Sequence, residues 1–240
     1  MTAPAATDRA LRGIVLANAV TLVLAVIQQW SVLQLMWPFW MQSVIIGWYS
    51  RQRILALREF STEGLTINDR AVDPTPETQR RVANFFALHY GGFHAAYLFF
   101  LWMFSTTADP AGFVSVSNES SGTTSQVYVG HVHPLDVVAY LALAFGFWRS
   151  HRASHREHVR ADLAGRPNLG TLMFMPYARI VPMHLTLIAG VPLGGGAVWL
   201  FVLLKTAADV VMHKVEHRVL GRNHSGVARS GSRTSGPVSR

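Results

Sequence analysis

Lys205, Asp209, His213 and His217 recur at four-residue steps near the end of the chain. Residues four apart lie about one turn apart on one helix face, so this spacing gathers ionisable groups into a stripe. The segment that carries them, 194–220, otherwise reads AVWLFVLL and VVM. A carboxylate and a neutral imidazole one turn apart can share a divalent cation. The same groups can instead pass a proton along the stripe. Lys205 adds a cation that either pairs with Asp209 or stabilises an anion developing on a substrate.

Two other segments carry groups of the same kind. In NFFALHYGGFHAAY, Tyr90, His94 and Tyr97 fall on one helical face, while His89 is offset from His94 by about 140°. In MPYARIVPMHLTLIAG, Arg179 and His184 accompany Pro176 and Pro182. Pro182 leaves the carbonyl of Ala178 without its helical donor. Arg179 keeps its charge at any accessible pH and needs an anion, which Asp209, a lipid phosphate or a substrate carboxylate could supply. The candidate metal ligands are therefore His89, His94, His184, Asp209 and His213, with Lys205 and Arg179 as the catalytic charges. Each also has a plainer reading. The histidines can simply hydrogen-bond between helices, Lys205 can pair with Asp209 along the helix, and His217, beside Lys214, Glu216 and Arg218, can be solvated. His151, His155 and His158 in HRASHREH echo the histidine boxes of membrane di-iron desaturases and hydroxylases. The segment lacks the HxxHH form and is crowded with arginines, so it reads as a solvated basic helix.

The elements that must position these groups are apolar runs. The chain has 240 residues, of which 50% are hydrophobic and 14% charged, against about 25% charged in soluble domains. Runs at 11–30, 33–49, 82–104, 135–148, 171–189 and 194 to about 213 point to about six transmembrane helices. The expected fold is thus an all-α polytopic membrane bundle. Arginines and lysines cluster before the first run, between the second and third, after the fourth and after the sixth, and the other connections hold none. That alternation places both termini in the cytoplasm, in a bacterial or archaeal plasma membrane. It also assigns the net charge of +8 to membrane topology rather than to nucleic acid. The stretch MTAPAATDRALRG precedes a full-length run, so the first helix is expected to act as an uncleaved anchor. The run opening with Trp37-Pro38-Phe39-Trp40 places Pro38 where a first helical turn accepts it.

This organisation gives one helical domain, 1–220, with an extracytoplasmic loop at 105–134 and a disordered basic tail at 221–240. Within the loop, 114–116 and 126–132 alternate as strands do, which predicts a small hairpin. With no cysteine, there is no disulfide and no thiolate ligand; zinc, iron or copper would be held by histidine and carboxylate.

The motifs HYGGFH, PYARIVPMH and LKTAADVVMH resemble a family of small bacterial and archaeal membrane proteins of unknown function. The resemblance covers the chain from Trp37 to His213. It implies a polytopic membrane protein and no particular activity.

On the residues, the leading expectation is a membrane-embedded, metal-dependent enzyme acting on a lipid-like or small hydrophobic substrate. A proton-coupled transporter, a b-type cytochrome with histidine ligands, and a structural assembly factor use the same groups differently.

Overall fold

A computed structural model describes residues 16, 18–118, 122–179, 181 and 206. A first helix, α1, runs over 18–27. It closes where Gln29 takes a positive φ of 54° and the Trp30 amide donates to the Ala25 carbonyl at 2.8 Å. The next helix, α2 (Val32–Ala56), begins at once. Ser31 Oγ accepts from the Gln34 amide at 3.2 Å, and Gln34 Oε1 accepts from the Ser31 amide at 2.8 Å. This reciprocal capping box satisfies two orphan donors. Because α2 starts at Val32, Pro38 lies inside the helix and not in its first turn.

A short hairpin follows. Strands β1 (Thr66–Ile67) and β2 (Arg70–Ala71) are joined by Asn68 and Asp69, both at positive φ (51° and 59°). Asn and Asp tolerate that conformation in the turn that matches strand twist. Helix α3 (Pro76–Thr107) opens with Thr75 as cap and Pro76 in the first turn. Strands β3 (Phe113–Asn118) and β4 (Thr123–Tyr128) then pair antiparallel, from Phe113↔Tyr128 to Asn118↔Thr123. The hairpin expected in the 105–134 loop is present, with its second strand ending at Tyr128. Helix α4 covers Pro134–Leu163, α5 covers Leu169–Phe174, and a 3-10 turn covers Met175–Arg179.

Helix α2 is the middle of the assembly. At its start, Trp30 Nε1 donates to Asp136 Oδ1 at 2.6 Å, and at its end Arg53 binds Asp162 through two contacts of 2.5 and 3.0 Å. Asp136 opens α4 and Asp162 closes it, so α2 and α4 run parallel. Gln79, in the first turn of α3, donates to the carbonyls of Ile54 and Leu57 at 2.8 and 3.0 Å, so α3 runs antiparallel to α2. Phe39, Phe86 and Phe147, one from each helix, are fully buried between them. Burial of three such rings supplies several kcal/mol, roughly 1.5–3 each.

The expected six-span, all-α membrane bundle is not the architecture. No helix among the described residues is long and apolar enough to cross a membrane, and five helices are accompanied by two hairpins. The reason lies in the sequence of each run. In α3 the apolar stretch is interrupted by Asn84, His89, Tyr90, His94 and Tyr97, and in α2 by Gln34, Gln42 and Ser43. In α4 it ends at Trp148, and the helix continues unbroken through Arg149, Arg152, Arg156 and Arg160. Residues 135–148 extend about 21 Å, short of the roughly 30 Å of a hydrocarbon core. The inside–outside assignment of the termini rested on six crossings and falls with them. Nearly all of the expected sixth run, and of the expected fifth run beyond Arg179, lies outside the described residues. Residues 171–179 of the fifth are the end of α5 passing into the 3-10 turn at Met175–Arg179. Pro176 accounts for part of that, since it lacks the amide an α-helix would use.

Candidate functional site

The seam between α2 and α3 carries the densest set of buried polar groups on the candidate histidines. Gly47 makes it possible: a Cβ at this position would lie 2.8 Å from Tyr90 Cδ1 and closer still to Cε1. The tyrosine ring therefore rests directly on the α2 backbone. Its hydroxyl donates to the Ser43 carbonyl at 3.0 Å. One turn further along α3, His94 stacks on the Tyr90 ring with centroids 4.3 Å apart and planes 23° from parallel. Trp40 Nε1 donates to the His94 carbonyl at 2.9 Å, which fixes the α3 backbone at that position.

His94 is 4% exposed. Its Nδ1 lies 2.8 Å from the Tyr90 carbonyl. A carbonyl only accepts, so Nδ1 carries the proton and Nε2 carries the lone pair. Nε2 is buried and has no hydrogen-bond partner among the described residues, and the same holds for Gln42 Oε1 on the facing helix. An imidazole oriented through Nδ1–H to a backbone carbonyl, with Nε2 aimed inward, is the arrangement in which histidine serves as a metal ligand or proton acceptor.

His89 sits elsewhere on the same helix, as the offset in its spacing requires. It is exposed, stacks on Phe85 at 5.3 Å and 12°, and shares a 2.9 Å hydrogen bond between Nδ1 and the Tyr177 hydroxyl. Tyr177 belongs to the 3-10 turn and also meets the edge of Tyr90 at 5.5 Å. It thus joins the His89 face to the His94 seam. Arg179 ends that turn. His184, Lys205, Asp209 and His213 lie outside the described residues. Among the described residues no group of three or more His, Asp or Glu is placed to hold a metal ion.

Gly91 and Gly92, whose lack of a side chain suits close helix approach, meet no described atom within 4 Å of an added Cβ. The close approach is made at Gly47 instead. Two polar nodes were not singled out by spacing. Asp136, 4% exposed, accepts from Trp30 Nε1 at 2.6 Å, the His133 amide at 2.8 Å and Gln34 Nε2 at 3.3 Å. Its position three residues after His133 and two after Pro134 is a helix-start signal visible in the sequence. The second node is the Arg53–Asp162 pair. His155, expected to be solvated, is half-buried near that pair, and its ring lies 5.0 Å from Tyr49. Burial and the nearby Arg53 charge hold its pKa below the ordinary 6.5, with Asp162 acting in opposition.

No curated protein matches the chain, and no solved structure does. A family match covers nearly all of it, and the chain belongs to that family, the family of unknown function DUF6498, over residues 1–226.

Proposed function

We propose that this chain is a membrane-associated, metal-dependent enzyme in which His94 Nε2 supplies one ligand from the α2–α3 seam. The observation that carries the reading is the pairing state of His94: Nδ1–H is bound to the Tyr90 carbonyl at 2.8 Å, and the buried Nε2 is left unpaired. An unpaired polar atom in an apolar interior costs about 1–3 kcal/mol, and a bound cation would remove that cost. A bound zinc, iron or copper supplies Lewis-acid polarisation of a substrate oxygen. The chain's own residues do the rest. Tyr90 orients the imidazole, and Tyr177 positions His89 at the mouth of the seam. His184, Asp209 and His213 are the proposed further ligands. Lys205 and Arg179 are the proposed partners of an anionic substrate group.

Contact with a lipid bilayer is part of the proposal. Leu88, Leu135, Val138 and Leu141 are 80%, 78%, 64% and 60% exposed. Apolar faces of that extent on α3 and α4 mark an interaction surface. A lipid-like or small hydrophobic substrate would reach the seam from that phase.

Metal analysis of the full chain, purified after metal-replete expression, tests the reading. Near-stoichiometric zinc, iron or copper is expected, with His94→Ala and Asp209→Ala each weakening retention at least about tenfold. Wild-type metal content in both variants, or none in the parent, overturns it. A Soret band would assign the same nitrogen to haem. The absence of both metal and haem would leave His94 as a proton acceptor.

A further inference from the structure

Past the apolar part of α4, Phe145, Trp148, Arg149, Arg152 and Arg156 line an open groove of about 380 Å³. Spacings of three, four and seven residues put them on one helix face. The Arg152 guanidinium lies over the Trp148 ring at 5.2 Å from its centroid, which holds that charge at the edge of the groove. Arg149, Arg152 and Arg156 are exposed, and none of them pairs with a carboxylate among the described residues. Three like charges one turn apart repel. Asp162, the acidic residue that closes this helix, is already bound to Arg53.

We infer that this groove binds the anionic headgroup of a phospholipid, with the acyl chains lying along the exposed face of α4. The charge alone fits any anion; what selects a lipid is the strip that leads away from it. Leu141, Val138 and Leu135 continue the same face and are 60–78% exposed. From Arg149 back to Leu135 the helix rises about 21 Å, more than the roughly 15 Å depth of one hydrocarbon leaflet. A tryptophan stands at the junction, where amphipathic rings favour the headgroup level. Free phosphate would satisfy the arginines and leave this strip exposed.

The inference rests on the bilayer contact proposed above, so the test separates the two. The full chain in a mild non-ionic detergent is titrated calorimetrically with short-chain phosphatidylglycerol, short-chain phosphatidylcholine and inorganic phosphate. Phosphatidylglycerol is expected to bind most tightly. Arg149→Gln, Arg152→Gln and Arg156→Gln should each weaken it about fivefold, equivalent to ~1 kcal/mol per arginine. Arg81→Gln, whose side chain pairs with Glu77 at 2.7 Å, should leave it unchanged. Equal binding of the two lipids overturns the headgroup site but leaves bilayer contact standing, whereas binding of neither lipid overturns both. Phosphate binding as tight as phosphatidylglycerol makes this a free-anion site and overturns the lipid assignment. The comparison of lipids on the parent protein decides the matter even where a variant is unstable.

Discussion

Replacing Gly47 with alanine sets two effects of opposite sign against each other. Inside a helix, Gly→Ala ordinarily stabilises by roughly 0.5–1 kcal/mol, because the unfolded chain loses freedom. At Gly47 the added methyl would lie 2.8 Å from Tyr90 Cδ1, about 0.7 Å inside the closest favourable carbon–carbon separation. Tyr90 cannot swing away cheaply. It is 3% exposed, its hydroxyl is tied to the Ser43 carbonyl, and His94 stacks on its other side. Overpacking costs about 1–3 kcal/mol; an overlap this deep against a pinned ring takes the upper part, about 2–3 kcal/mol, so even after a full gain of about 1 kcal/mol the net change is a destabilisation of roughly 1–2 kcal/mol. For a chain of this size that lowers the unfolding temperature by roughly 2–8 °C. Gly91→Ala is the matched control, since its Cβ meets no described atom within 4 Å; it should raise the unfolding temperature. Thermal unfolding of both variants, followed by near-UV circular dichroism, reads the difference. A double-mutant cycle with Tyr90→Leu should show Gly47→Ala costing less once the ring is gone. If Gly47→Ala is as stable as the parent, or if Tyr90→Leu leaves its cost unchanged, then α2 and α3 do not meet through this ring.

The two ends of α2 make separate predictions. Arg53→Ala leaves Asp162, 3% exposed, as an unpaired buried carboxylate and should cost about 3–5 kcal/mol; Arg53→Met with Asp162→Leu should recover most of it, because well-packed apolar replacements of a buried pair are close to neutral. Asp136→Ala strands the Trp30 indole, the His133 amide and the Gln34 amide, and a loss of about 3 kcal/mol or more is expected in chemical unfolding. His155 predicts a pH dependence. Its folded-state pKa lies below the unfolded 6.5, so between those two values the unfolded chain binds more protons. Stability is therefore full above about 6.5 and falls as pH drops through that window. His155→Gln should flatten the part of the unfolding-midpoint profile just below pH 6.5, and an unchanged profile would show that His155 titrates as it does in water.

The sequence made local signals readable and concealed distant ones. The starts of α3 and α4 are written in Thr75-Pro76 and His133-Pro134, because a cap and an N-terminal proline act within a few residues. The offset between His89 and His94 was likewise legible, since it follows from helical geometry alone. Hydropathy misled at α4. An apolar run of 135–148 followed by arginines looks like a span reaching the cytoplasm, yet nothing in Arg149 or Arg152 stops a helix, and the element continues to Leu163. The separate runs at 33–49 and 82–104, which lie in α2 and α3, mislead for a related reason. Histidine, tyrosine and glutamine placed every few residues keep the pattern amphipathic, and neither helix holds a stretch long and apolar enough to cross a membrane.

What determines the site was legible least, because it depends on pairs far apart in the chain. Trp30 and Asp136 are separated by 106 residues, Arg53 and Asp162 by 109, and His89 and Tyr177 by 88. No periodicity links such residues. The one sequence clue that led toward the seam was the face shared by Tyr90, His94 and Tyr97; the glycine that admits it, Gly47, lies on another helix and in the sequence is only one small residue in an apolar run. The consequence for chemistry is specific. His94 is held by two backbone carbonyl contacts, one accepting from its own Nδ1 and one, its own carbonyl, accepting from Trp40. Its ring plane is fixed by Tyr90, and Tyr90 in turn is fixed by Gly47 and Ser43. A nitrogen positioned through that many packed neighbours is pre-organised before any ligand arrives. If His94 holds the proposed metal, Gly47→Ala should therefore lower the metal content of the purified protein as well as its stability, whereas Gly91→Ala should change neither the content nor the ring geometry.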